Sequence, residues 1–393
     1  MAKTKPKQKK ERKREKSVLN RVSGTTASTS SKPTLTPEQL LLQAAASLQQ
    51  GDLESAAKPA KKALSQLDAS SEEALPALNL LGEIHLELGD VDAARQYFMR
   101  AVVIDPTGDV DEEVGGGPEK FLWLAQLSED GGRDSVNWFE KGALALRKQI
   151  QSLLDRKSLD VESQAILEEK RRKLSVALCG VVEVYMTDLS WETDAEQKCE
   201  QLVTEATMVA EGFAEPWQTL ANVRISQERI EDARAALKRS IELWTDLEPD
   251  DSKVPDFPTR VSLARLLMET GMDGEAIEVL ERLVGEDDQS VEVWYLGGWG
   301  LYILGEKQKK GEIKGEDSDS WKVSWISSRQ WLNNSMRLFE MQDYEDDRLG
   351  EHAKELLAGL NKELGPEGTA DEEDGEGWED AGSDEEDDEM DES

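Results

Sequence analysis

Few side chains in this sequence carry reactive groups, and their spacing argues against catalysis. His85 and His352 are the only histidines in 393 residues, and neither has a second His or Cys at metal-ligand spacing. Cys179 and Cys199 are the only cysteines. Two thiols make neither a disulfide framework nor a zinc cluster, so both are expected to be reduced, in or near a core, in an intracellular protein. Gly115-Gly116-Gly117 is a glycine run, but no Gly-Lys-Ser/Thr follows it. It reads as a flexible connector rather than a phosphate cradle. There is no HExxH and no nucleophile elbow. Carboxylates abound, yet abundance is not a perturbed pair in a pocket. The expectation is no catalytic residue, no cofactor, no metal, and a protein that is not an enzyme.

Charge is the chemistry that remains. The chain holds 83 Asp and Glu against 47 Lys and Arg, a formal net charge of −36. It is unevenly placed. Residues 1 to 32 carry eleven Lys and Arg against Glu11 and Glu15, whereas residues 366 to 393 carry sixteen Asp and Glu and no Lys or Arg. The stretch between them therefore keeps about −29 of its own. A field of one sign attracts a partner of the other and speeds encounter. The two ends lack apolar periodicity, so residues 1–34 are expected to be a disordered basic arm and residues 365–393 a disordered acidic tail. The run Lys9-Lys10-Glu11-Arg12-Lys13-Arg14 is a candidate import signal for a nuclear import receptor, with a nucleic-acid contact or a plain solvated arm as the alternatives. No secretory signal and no span of about 20 apolar residues is present.

The elements that must position any recognition surface are clearest from Leu78 to Pro106. Leu78, Leu81, Ile84 and Leu88 recur at helical spacing, Gly89-Asp90 interrupts, and Val91, Ala94, Phe98, Ala101 and Val102 form a second stripe. Asp105-Pro106 ends it, since proline cannot continue a helix. Gly82, Gly89, Ala94, Phe98, Ala101 and Pro106 stand, in order, where the tetratricopeptide repeat has its small, turn, small, aromatic, small and proline positions. The segment resembles that family. Thr36-Pro37-Glu38 is an earlier helix start, and Gly51, Ala56 and Ala63 precede Gly89, Ala94 and Ala101 by a fixed 38 residues, the mark of an internal repeat.

Five further units follow with weaker spacing. The third uses Leu122, Leu124, Ala125 and Leu127, then Ser135, Phe139 and Gly142. Residues 147 to 172 extend it or start the fourth, which holds Ala177, Gly180, Val184 and Tyr185, an insertion near Asp188 to Thr193, then Cys199, Val203 and Ala206. The fifth has Trp217, Leu220, Ala221, Ala233, Leu237 and Ser240. The sixth has Ala264, Leu267, Gly271, Ala276, Leu280 and Leu283. The seventh opens with Trp294, Gly298 and Leu301, is expected to turn at Gly305, carries an insertion from Glu306 to Ser320, and resumes with Trp321, Trp325 and Trp331. Residues 343 to 364 make a charged closing helix, as an array end requires. The expected fold is all-α: a tetratricopeptide-repeat superhelical solenoid over residues 35–364, of about seven helical hairpins with a C-terminal capping helix.

The resemblance also implies where a partner would lie. In tetratricopeptide arrays the fifth, ninth and twelfth positions of each first helix face a concave groove. Here those are Asn79, Glu83 and Glu87; Gln126 and Glu129; Gln218 and Asn222; Val261, Arg265 and Met268; and Tyr295, Trp299 and Tyr302. The three aromatics are either contact area for a peptide or filling for the joint with the closing helix. His85 falls where the family has a packing residue, and His352 is expected to be exposed. Leu41 and Ala45 replace the basic residues with which co-chaperones grip a heat-shock carboxylate, so that ligand is disfavoured.

The order of a basic arm, seven repeats, a tryptophan-rich last repeat and a GWEDAGSDEEDDEMDES end is similar to the fungal assembly chaperones dedicated to large-subunit ribosomal protein four. What that implies is a monomeric carrier of a very basic client, holding the client's long internal loop and shuttling between cytoplasm and nucleus, with no membrane and no direct nucleic-acid contact. A scaffold subunit of a complex, an acidic histone chaperone and a helper subunit of a transferase remain open.

Overall fold

The computed structural model describes residues 35–156, 158–313 and 319–365. The expectations for the basic arm and the acidic tail fall outside them, apart from Gly365. Among the described residues there are fifteen α-helices and no strand. The chain divides into two compact units, Met1–Thr270 and Gly271–Ser393.

The first unit is built from helical hairpins. They are α1 (Pro37–Gln49) with α2 (Leu53–Ser65), α3 (Leu75–Glu87) with α4 (Val91–Ile104), α5 (Glu119–Gln126) with α6 (Gly132–Leu154), α7 (Val161–Met186) with α8 (Ala195–Val209), and α9 (Ala214–Ser226) with α10 (Ile230–Glu242). Helix α11 (Phe257–Glu269) closes the unit. Local chemistry sets the boundaries. Thr36 and Gln39 form a reciprocal capping box on α1. Asp52, Asp90 and Asp160 accept backbone N–H groups at the starts of α2, α4 and α7, each satisfying a donor the helix leaves open. Gly51 and Gly89 make the hairpin turns at φ +75°, which a residue with a Cβ adopts only with strain. The doubtful stretch 147 to 172 does both things expected of it: α6 runs on to Leu154 and α7 begins at Val161.

The small residues do two jobs. Gly82 lets the Phe98 ring lie against α3, because a Cβ there would stand 2.5 Å from Phe98 Cζ. Ala94 and Ala101 are fully buried beside it. Serines at equivalent places are buried too, and each donates to a carbonyl of the partner helix: Ser135 to Ala125 at 2.8 Å and Ser240 to Ala214 at 3.0 Å. A buried hydroxyl needs such a partner.

The second unit comprises α12 (Asp273–Glu286), α13 (Val291–Lys309), α14 (Ser320–Gln342) and α15 (Asp347–Leu364). It corrects one expectation. Helix α13 does not turn at Gly305 but continues to Lys309. Gly305 is buried against the Trp325 indole, and a Cβ there would stand 2.2 Å from Trp325 Cδ1. The glycine serves close approach of α14, not a change of direction. Gly297 and Gly298 admit Trp331 and Leu332 in the same way. Ser328 and Ser335 bond to Gly298 and Val291 across this joint, at 2.6 and 3.0 Å. The closing helix starts at Asp347, after a left-handed Asp343.

Candidate partner-binding surface

Several first-helix positions are spent inside the fold. Asn79 on α3 donates from Nδ2 to the Gly115 carbonyl at 2.7 Å, so the acidic loop after α4 is fastened to this face. That loop is not the flexible connector expected from its glycines. Asp105 is buried and gathers it: Oδ1 accepts from the N–H groups of Asp109 at 3.1 Å and Val110 at 3.4 Å, and Oδ2 from Gly117 at 3.1 Å. The buried Lys120 ammonium donates to Asp105 Oδ2 at 2.7 Å and to the Gly117 carbonyl at 2.5 Å. Desolvation lowers the Lys120 pKa, opposed by the Asp105 carboxylate. Gly116 has no room for a side chain, since a Cβ would meet the Val110 carbonyl oxygen at 2.2 Å.

Further along, Gln218 on α9 is buried and donates to Thr259 O at 3.0 Å, and Val261 on α11 is buried. These two, with Asn79, join the framework instead of a free groove wall. Glu87, Gln126, Glu129, Asn222 and Arg265 are exposed, and Glu83 and Met268 are half-buried. Glu129 approaches Arg95 at 4.0 Å while remaining well exposed, a geometry that contributes little stability and leaves the carboxylate usable.

Helix α7 carries a basic turn that sequence reading passed over. Lys170 pairs with Glu112 at 2.9 Å, Arg172 with Glu215 at 3.1 Å and Lys173 with Glu119 at 2.6 Å. Burial depresses the Lys173 pKa, and Glu119 outweighs this, leaving it raised. One turn of α7 thus ties itself to the loop after α4, to α5 and to α9. The signal was available as Lys170-Arg171-Arg172-Lys173 within an acidic chain; its partners, 43 to 58 residues away in sequence, were not.

In the second unit the aromatic trio is absorbed by the closing helix. Tyr295, Trp299 and Tyr302 pack with Ala353, Leu356 and Leu360 of α15. The Tyr295 hydroxyl lies 2.7 Å from His352 Nδ1, and the Trp299 ring meets the His352 ring at 5.3 Å, edge to face. Of the two uses open to these aromatics, filling the joint is the one observed. His352 is half-buried within it, contrary to the expectation of an exposed side chain. His85 is buried as expected, its Nδ1 3.1 Å from Asp90 Oδ2 and its ring 5.4 Å from Tyr97.

Both cysteines are free. Burial pushes the Cys179 thiol up to about 11 and raises Cys199 as well, which makes both poor nucleophiles near neutral pH. Among the described residues no three His, Cys, Asp or Glu side chains are grouped to hold a metal ion. No helix among them is long and apolar enough to cross a membrane. The arrangement presents exposed carboxylates and amides on a framework of paired helices.

That framework defines a tetratricopeptide-repeat recognition protein, and residues 41–109 match the tetratricopeptide repeat family model. A protein of Emericella nidulans named probable assembly chaperone of rpl4 is 48% identical over 386 residues, covering 96% of this chain and 95% of that protein. A Schizosaccharomyces pombe protein of the same name is 34% identical over 303 residues, or 77% and 84% of the two chains. The solved structure of the Assembly Chaperone of RpL4 (Acl4), residues 1–338, is 58% identical with a TM-score of 0.66, covering 71% of this chain and all of that one. The chain belongs to the family of assembly chaperones of rpl4.

Proposed function

We propose that this chain captures newly made ribosomal protein rpl4, holds the client's long basic internal loop, keeps it soluble and delivers it to nuclear pre-ribosomes. The observation that carries this reading is the near end-to-end likeness to a relative named for that client. The physics agrees with it. A client destined to bind RNA is rich in cations, and a carrier with a formal charge of −36 competes for them before RNA does. The protein acts by binding alone, as a monomer, in cytoplasm and nucleus, with the basic arm read by an import receptor. Ordering a loop costs conformational entropy, which many weak contacts along a rigid surface offset.

The test is co-purification of the full chain with rpl4 at an ionic strength of about 0.15 M and again at several times that value. A one-to-one complex that loosens steeply with salt is expected, with rpl4 aggregating when the carrier is omitted. Capture of histones instead of rpl4, or of neither, rejects the reading. Glu87→Lys combined with Glu129→Lys changes two exposed carboxylates and should weaken capture several-fold with an unchanged thermal melt. Unchanged affinity would remove these positions from the binding surface.

A further inference from the structure

One cluster in the second unit is left without a role by the client surface described above. Trp321 and Trp325 on α14 stand edge to face, centroids 5.0 Å apart at 81°. Tyr302 of α13 stacks flat on Trp325 at 5.6 Å and 7°. Into the corner between the indoles comes the ammonium of Lys309, 4.6 Å from each ring centroid. The same ammonium donates to Glu363 Oε2 of α15 at 2.7 Å. Two perpendicular indole faces and one carboxylate make a seat for a compact cation. Its aromatic part is an electrostatic attraction to the rings and is indifferent to which chain supplies the ammonium. A planar guanidinium would suit flat stacking on one ring better than this corner.

The seat is open on its outer side. The Lys309 and Glu363 side chains are 39% and 46% exposed and Trp321 is half-buried, whereas Trp325 is buried and forms the inner wall. Lys309 is the last residue of α13, so its side chain can leave without breaking a helix interior. It belongs to a cluster of three lysines that all rest on acids: Lys307 on Asp273, Lys309 on Glu363 and Lys310 on Glu306. The stretch Glu306-Lys307-Gln308-Lys309-Lys310 is thus a short basic run held on acids of its own chain.

We propose that Trp321, Trp325 and Glu363 form a lysine-binding seat, which Lys309 fills in the free chain and which a lysine of a bound basic polypeptide takes over. The identity of that polypeptide rests on the client reading above; the seat does not. A tethered lysine competes at an effective concentration in the millimolar range, so one external lysine loses and a run of them prevails.

The test uses the full chain with ¹⁵N-labelled tryptophan and tetralysine amide as the probe, reading the indole N–H signals. Lys309→Gln removes the ammonium held between the two indoles and leaves Lys322, 5.7 Å from the Trp321 centroid and paired with Asp319 at 3.0 Å, outside the corner. It should bind tetralysine at least about fivefold more tightly than the unaltered chain and shift the Trp321 signal. Glu363→Gln added to Lys309→Gln should cancel most of that gain, and both proteins should keep a cooperative thermal melt, lowered by no more than the small loss of the Lys309 contacts. Equal affinity of the two proteins, or a gain without a Trp321 shift, overturns the seat. Measuring rpl4 on the same pair keeps the questions apart. A tetralysine gain with no rpl4 capture by either protein removes the client and keeps the seat, and rpl4 capture with no tetralysine gain does the reverse.

Discussion

Two glycine-rich stretches, Thr107 to Gly117 in the first unit and Gly297 to Gly305 in the second, look alike in composition and behave as opposites. The first is a loop folded around a buried charge. Asp105 collects three backbone N–H groups and the Lys120 ammonium, and Gly115 and Gly116 sit where neighbouring backbone leaves no space. The second is an unbroken helix in which Gly297, Gly298 and Gly305 are pressed by Trp331, Leu332 and Trp325. In neither case does glycine mean flexibility. Its role is set by what packs against it: backbone amides and a carboxylate in one place, indole rings in the other.

The largest expected effect breaks the first of these. Asp105→Ala leaves a buried ammonium and three N–H groups without their acceptor, and should cost about 3–5 kcal/mol. Urea unfolding followed by circular dichroism measures it. Adding Lys120→Met should recover part of the loss, since a missing charge is cheaper than an unpaired one; the unrecovered part belongs to the backbone amides. A loss under about 1 kcal/mol would mean that the loop is not organised by this pair.

The second joint should respond less. Gly305→Ala gains about 1 kcal/mol of helix preference and drives a methyl into the Trp325 indole. Overpacking costs about 1–3 kcal/mol and a 2.2 Å approach belongs at the upper end, so the net change should be a loss of about 2 kcal/mol and should alter the fluorescence of the tryptophan cluster. A stabilised variant would show that α14 can retreat, and would undo the claim that Gly305 serves close approach.

Gly89→Ala supplies the smallest effect and the control. This glycine has open space around it, but φ is +75°. The cost should be about 1 kcal/mol, from the backbone alone. A larger loss in thermal melting would imply a contact that the structure does not contain.

Much of the fold was legible before the structure. The repeat offset of 38 residues came through because it is a spacing of residue types, and the Thr36 cap and the Asp52 and Asp90 turns because they rest on interactions within about four residues. The surface was less legible. Asn79 and Gln218 have the side chains of a groove wall, yet their partners lie 36 and 41 residues away and hold the framework together. Tyr295, Trp299 and Tyr302 have the spacing of a contact stripe, and α15 covers them.

By itself the sequence determined the helical hairpins, their periodic small residues and the acidic balance, since spacing and composition are properties of the chain. Only the tertiary structure decided which polar groups are consumed internally, which glycines receive a ring, and that Lys309 rests between two indoles. Those outcomes depend on groups brought together from distant parts of the sequence, and a burial or a hydrogen bond exists only once both sides are in place.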